Sequence, residues 1–136
     1  MKKLCLILLT LCLVLPSWAV RKQTYKVKGV LKCNGKAEEG VLVKLYDEDT
    51  GPDPDDKLDQ VKTDKWGKFS VKGDTRETTS IDPVLKIYHD CNDGWKPCQR
   101  RWKFKLPDKY INDKEMDVGT LELSVKLPEE ERDCVH

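Results

Sequence analysis

Cysteines, an acidic run, a basic and aromatic stretch, and one internal histidine are the residues here whose types and spacing allow chemistry. Six cysteines occur in the 136 residues, and Cys5 and Cys12 fall in an apolar leader, which leaves Cys33, Cys91, Cys98 and Cys134. An even set in an oxidising compartment forms two disulfides, and no paired C-x2-C spacing argues for a metal knuckle. Three pairings exist. Spacing favours Cys91 with Cys98, because Gly94 and Pro97 between them allow a tight bend, and Cys33 is then left to Cys134. Asp47, Asp49, Asp53, Asp55 and Asp56 lie in a stretch from 47 to 59 broken by Gly51, Pro52 and Pro54. Such hard oxygen donors suit calcium, but the spaced D-x-D-x-D-G of an EF-hand is missing, so a solvated loop is the favoured account and no metal is assigned.

Trp95, Lys96, Arg100 and Arg101, with Trp102, Lys103 and Lys105 close by, form the one local basic and aromatic patch. Arg and Lys pair with phosphate, and an exposed Trp suits a membrane interface, so these residues are the candidate ligand or membrane patch. Period-two alternation offers a plainer reading, with Trp102 and Phe104 inward and Arg101, Lys103 and Lys105 on the wet face. Trp95 escapes that explanation, because it lies in the loop between Cys91 and Cys98. His89 beside Asp90 has neither a G-x-S-x-G elbow nor a free thiol to work with, and no catalytic residue is assigned. Asn34, Asn92 and Asn112 are not followed by Ser or Thr at the second position, so none is a glycosylation acceptor.

The elements that must hold these groups follow from the pattern of the chain. Lys2 and Lys3, an apolar run from Leu4 to Leu15, and small residues at Ser17 and Ala19 read as a signal peptide over residues 1–19, too short to span a membrane. Cleavage after Ala19 leaves a domain over residues 20–136, long enough for one core. Its 23 basic and 24 acidic residues sum to −1, which gives no bulk attraction for nucleic acid. Alternating or apolar segments at 24–31, 41–46, 58–63, around Phe69 and Val71, at 84–89, at 101–106 and at 118–127 predict seven strands. Asn34-Gly35 and the stretch Asp64-Lys65-Trp66-Gly67 supply turns. With no long amphipathic helix, the apolar faces must meet in an all-β, antiparallel seven-stranded sandwich of immunoglobulin-like topology. Its expected core is Val27, Leu31, Val43, Leu45, Phe69, Val71, Leu85, Ile87, Trp102, Phe104, Leu121, Leu123 and Val125.

Three stretches carry a family resemblance. G-V-L-V-K-L-Y-D-E-D-T-G-P-D-P-D-D with T-D-K-W-G-K-F-S-V-K-G from Gly40 to Gly73, I-D-P-V-L-K-I-Y-H-D-C-N-D-G-W-K-P-C from Ile81 to Cys98, and R-D-C-V-H from Arg132 to His136 resemble the nematode transthyretin-like proteins. The resemblance implies a secreted sandwich of the transthyretin, or prealbumin, type. The wider superfamily includes hormone carriers and a hydrolase of 5-hydroxyisourate, whose histidines, arginine and terminal Y-R-G-S have no counterpart here, since the chain ends Asp133-Cys134-Val135-His136. The expectation is a secreted, extracellular binding protein, non-catalytic and without cofactors. It would engage a cell-surface protein, a lipid headgroup by peripheral membrane contact, or a small ligand through its loops. An oligomeric carrier of a small hydrophobic ligand is the alternative, and a hydroxyisourate-hydrolase-type enzyme ranks last.

Overall fold

A computed structural model describes residues 20–49 and 55–136. The expected signal peptide and Asp53 lie outside the described residues. Among the described residues nine strands are formed: β1 (Arg21–Cys33), β2 (Lys36–Ala37), β3 (Leu42–Asp47), β4 (Asp56–Lys62), β5 (Lys68–Glu77), β6 (Pro83–His89), β7 (Gln99–Lys105), β8 (Met116–Glu122) and β9 (Glu131–Asp133). The seven expected strands are all present, and the two additions are very short. β2 exists because Asn34 and Gly35 both take positive φ, 55° and 79°, which closes a two-residue hairpin after β1. β9 adds an edge to β7.

The strands form two packed sheets. One has β1 at its centre, paired with β5, β2 and β8, and the other runs β4-β3-β6-β7-β9. The purely antiparallel expectation needs one correction, because β8 runs parallel to β1, with Val27 opposite Met116 and Leu31 opposite Leu121. Parallel neighbours need a crossover rather than a hairpin. The chain supplies one after β7, where residues 106–115 pass from one sheet to the other and Asn112 exchanges hydrogen bonds with Thr24 on β1.

The period-two pattern places Tyr25, Val27 and Leu31 of β1 inward against Val43, Leu45, Leu85, Ile87 and Trp102 of the facing sheet. Each fully buried aliphatic side chain of this set contributes roughly 1.5–3 kcal/mol relative to exposure. Phe104 and Leu121 are half-buried against this core. Val125 is a correction, being 52% exposed, because β8 ends at Glu122 and the chain turns away from the sheet once Leu123 is buried.

Strand register gives the sandwich two distinct ends. One gathers the end of β1, the starts of β5 and β7, and the end of β6. The other gathers the start of β1, the ends of β3, β5 and β7, and the start of β4.

Candidate functional site

Cys33, Cys91, Cys98 and Cys134 all lie at the first end, but not in the expected pairs. Cys33 bonds Cys91 with Cα atoms 5.7 Å apart, and Cys98 bonds Cys134 with Cα atoms 4.4 Å apart. The expected Cys91–Cys98 and Cys33–Cys134 pairs are therefore corrected. Spacing along the chain measures closure entropy, whereas bonding needs Cα proximity. Register supplies that proximity for one pair, since Gln99 faces Asp133 in the β7–β9 ladder and the next positions along it are Cys98 and Cys134. For the other pair, Cys33 ends a strand of one sheet and Cys91 follows a strand of the other, so their bond joins the sheets.

Between these bridges the loop of residues 90–98 is held by polar contacts. Asn92 and Asn34 exchange side-chain hydrogen bonds at 2.7 and 3.1 Å. Glu122 accepts from the N–H and hydroxyl of Ser124, which with the N–H groups of Gly35 and Asn34 at 2.6 and 3.0 Å hold its carboxyl down to about 2. Asp93 is buried and takes two hydrogen bonds from the Arg132 guanidinium, which keep its carboxyl below the usual range. On this fixed loop Trp95 is 97% exposed and Lys96 beside it is also exposed. Trp66, 60% exposed on the β4–β5 turn, projects from the same end, its turn closed by Asp64 accepting from the N–H groups of Trp66 and Lys68.

Arg100 is not part of that surface. It shares the inward face of β7 with Trp102 and is 2% exposed. Its guanidinium donates to the carbonyls of Cys91, Leu123 and Val125 at 2.8–2.9 Å and to both oxygens of Glu130 at 2.6 and 2.7 Å. The hydrogen bonds from Arg100 hold the Glu130 carboxyl down to about 2. Arg101 lies on the outer face, paired with Asp133 at 3.2 Å and with Glu131, and Lys103 is paired with Glu48 at 2.6 Å. The expected patch of Trp95, Lys96, Arg100 and Arg101 thus contracts to Trp95 and Lys96. The other two residues are committed within the fold.

His89 is buried beside Arg100. Burial first, and the Arg100 charge second, push its imidazole pKa down to about 4, so it is neutral, and its Nδ1 accepts the Cys91 N–H at 3.1 Å. The Nδ1 contact holds the backbone at Cys91, beside the disulfide, while the buried Nε2 has no hydrogen-bond partner among the described residues.

At the opposite end, the structure brings together three of the acidic residues read from the sequence and one that was missed. Asp47, Asp49, Asp56 and Glu77 each place a carboxylate oxygen within 4.8 Å of the others. Asp55 stands apart, accepting from the Asp49 N–H and facing Lys86 at 3.9 Å. Glu77 escaped the sequence reading because it ends β5, remote from the acidic run, and only the packing of the sheets brings it to Asp47. A hydrogen bond with Asp47, burial and the charges of Asp47, Asp49 and Asp56 push the Glu77 carboxyl up to about 7.

Comparison with known proteins agrees with this architecture. A family model described as the transthyretin-like family matches residues 28–107. Transthyretin-like protein 5 of Caenorhabditis elegans is 48% identical over 96% of this chain and 99% of its own length. Transthyretin-like protein 33 of the same organism is 44% identical over 97% and 96%, and transthyretin-like protein 46 is 47% identical over 86% and 69%. Among solved structures, a 9R-lipoxygenase from Cyanothece superposes with a TM-score of 0.51 at 24% identity, over 74% of this chain but 16% of that one. That likeness concerns the fold alone.

Proposed function

The chain belongs to the transthyretin-like family, and from that premise we propose that it is a secreted, non-catalytic binding protein whose contact surface is the disulfide-tied loop carrying Trp95 and Lys96. The observation that carries this reading is Trp95 itself, 97% exposed on a backbone held at both flanks. Large apolar surface left in water on a rigid loop offers a partner contact area at little cost in ordering, and aromatic anchors of this kind dominate binding energy at interfaces. The neighbouring exposed lysine adds a positive charge that forms no ion pair among the described residues, which suits an anionic cell-surface protein, a lipid headgroup or an acidic small ligand.

Nothing about the buried histidine or the paired arginines supplies an activated nucleophile or a general base, which supports binding over catalysis. The test is co-sedimentation with vesicles of phosphatidylcholine alone or mixed with phosphatidylserine, run beside binding of the fluorescently labelled protein to intact nematode cells. The expected result is saturable binding to one of these surfaces that falls about tenfold in Trp95→Ala while the fold is retained. Equal binding by Trp95→Ala and the unaltered protein would overturn the reading.

A further inference from the structure

The acidic end carries a feature that the loop reading does not use. Asp47 closes β3 on the core side of the sheet and is 2% exposed. Its Oδ1 accepts the Asp82 N–H at 2.9 Å, which fixes the side chain, but among the described residues its buried Oδ2 is offered no N–H or hydroxyl donor, so that only a protonated Glu77 carboxyl beside it could hydrogen-bond to Asp47. A buried carboxylate oxygen without a donor is costly, and native proteins rarely leave one. The groups gathered beside Asp47 are themselves acceptors: Asp49 just beyond β3, Asp56 opposite it at the start of β4, and Glu77 from the other sheet. Neither Asp47, Asp56 nor Glu77 forms an ion pair with a Lys or Arg among the described residues. Carboxylates brought together from three strands around a buried aspartate repel one another unless a proton or a cation comes between them.

We propose that Asp47, Asp49, Asp56 and Glu77 form a binding site for one divalent hard cation of the calcium type. The ligand set is all oxygen, with no His or Cys, which selects against zinc and copper. The oxygens lie within 4.8 Å of one another, no wider than two calcium–oxygen distances laid end to end, about 4.6–5.2 Å. The site opens into a shallow cleft of about 590 Å³ lined by Asp47, Asp49, Arg76, Glu77 and Thr79 among others, so water can complete the coordination sphere. The ion ties β3, β4 and β5 together, and thereby clamps the end of the sandwich that no disulfide reaches. This site lies at the opposite end from the Trp95 loop and stands whether or not that loop binds a partner.

The experiment is isothermal titration of calcium chloride into the disulfide-intact protein in chelator-treated buffer, with thermal unfolding read at each calcium concentration. One site with a dissociation constant of roughly 0.1–1 mM is expected, in the range of extracellular calcium modules. Glu77→Gln and Asp56→Asn each weaken it by about tenfold or more, and Glu77→Gln without calcium unfolds at a temperature no lower than the unaltered protein, because it relieves repulsion. The exposed position of Asp56 makes its variant safe for folding. Absence of binding heat and of any midpoint shift at saturating calcium, or binding undiminished in both variants, would overturn the proposal.

Discussion

The two ends of the sandwich solve the same problem, a carboxylate taken out of water, in opposite ways. At the disulfide end the half-buried Glu130 and the buried Asp93 each meet a guanidinium, and both are held at low pKa as settled anions. At the other end buried Asp47 meets carboxylates, and Glu77 is held near 7. A site complete in itself keeps a shape, and a site incomplete in itself expects a visitor. The first end is therefore read as a rigid platform for Trp95 and the second as a seat for a cation.

The largest expected effect breaks the platform. Arg100→Met strands Glu130 and removes donors from three carbonyls, and should lower the unfolding free energy by about 3–5 kcal/mol in a denaturant titration. Replacing Cys33 and Cys91 together with Ser frees a loop spanning a separation of 58 residues, for a loss of about 4 kcal/mol by chain entropy. Peptide mapping without reductant should recover Cys33 with Cys91 and Cys98 with Cys134, and recovery of Cys91 with Cys98 would contradict the register argument.

Titration sharpens the contrast, because the two ends respond to pH with opposite sign. The His89 imidazole is pushed down to about 4, so between about pH 6.5 and 4 the unfolded chain takes up a proton that the folded one refuses, and stability falls on acidification. The loss reaches about 3 kcal/mol, and His89→Gln should remove it. Glu77 is pushed up from 4.5 to about 7, so in chelator its contribution is lost as pH rises through that interval, and Glu77→Gln should flatten that limb. The smallest effect on stability belongs to Trp95→Ala, within about 0.5 kcal/mol, because a side chain in open water has little packing to lose.

Much of the sandwich was legible because one face of each strand is apolar at period two: Val27, Leu31, Val43, Leu45, Leu85 and Ile87 fell inward as read. Asn34-Gly35 was legible as a turn because that dipeptide accepts positive φ at both positions. What escaped is information that resides in the register between remote strands. The Cys98–Cys134 bond depends on β9 pairing with β7, and β9 is too short to announce itself. Arg100 looked like a surface cation because arginine seldom faces a core, and its partner Glu130 lies beyond the last long strand. Glu77 joined the acidic cluster only through the packing of one sheet against the other. Val125 was carried past the end of its strand by an alternation that the backbone does not continue.

The most direct test sets the two ends against each other in one experiment: binding of Trp95→Ala and Glu77→Gln proteins to the vesicle or cell surface that captures the unaltered protein. Loss in Trp95→Ala with retention in Glu77→Gln is the predicted result and locates the contact at the disulfide end. Retention in Trp95→Ala with loss in Glu77→Gln would contradict the account and move the binding surface to the acidic end.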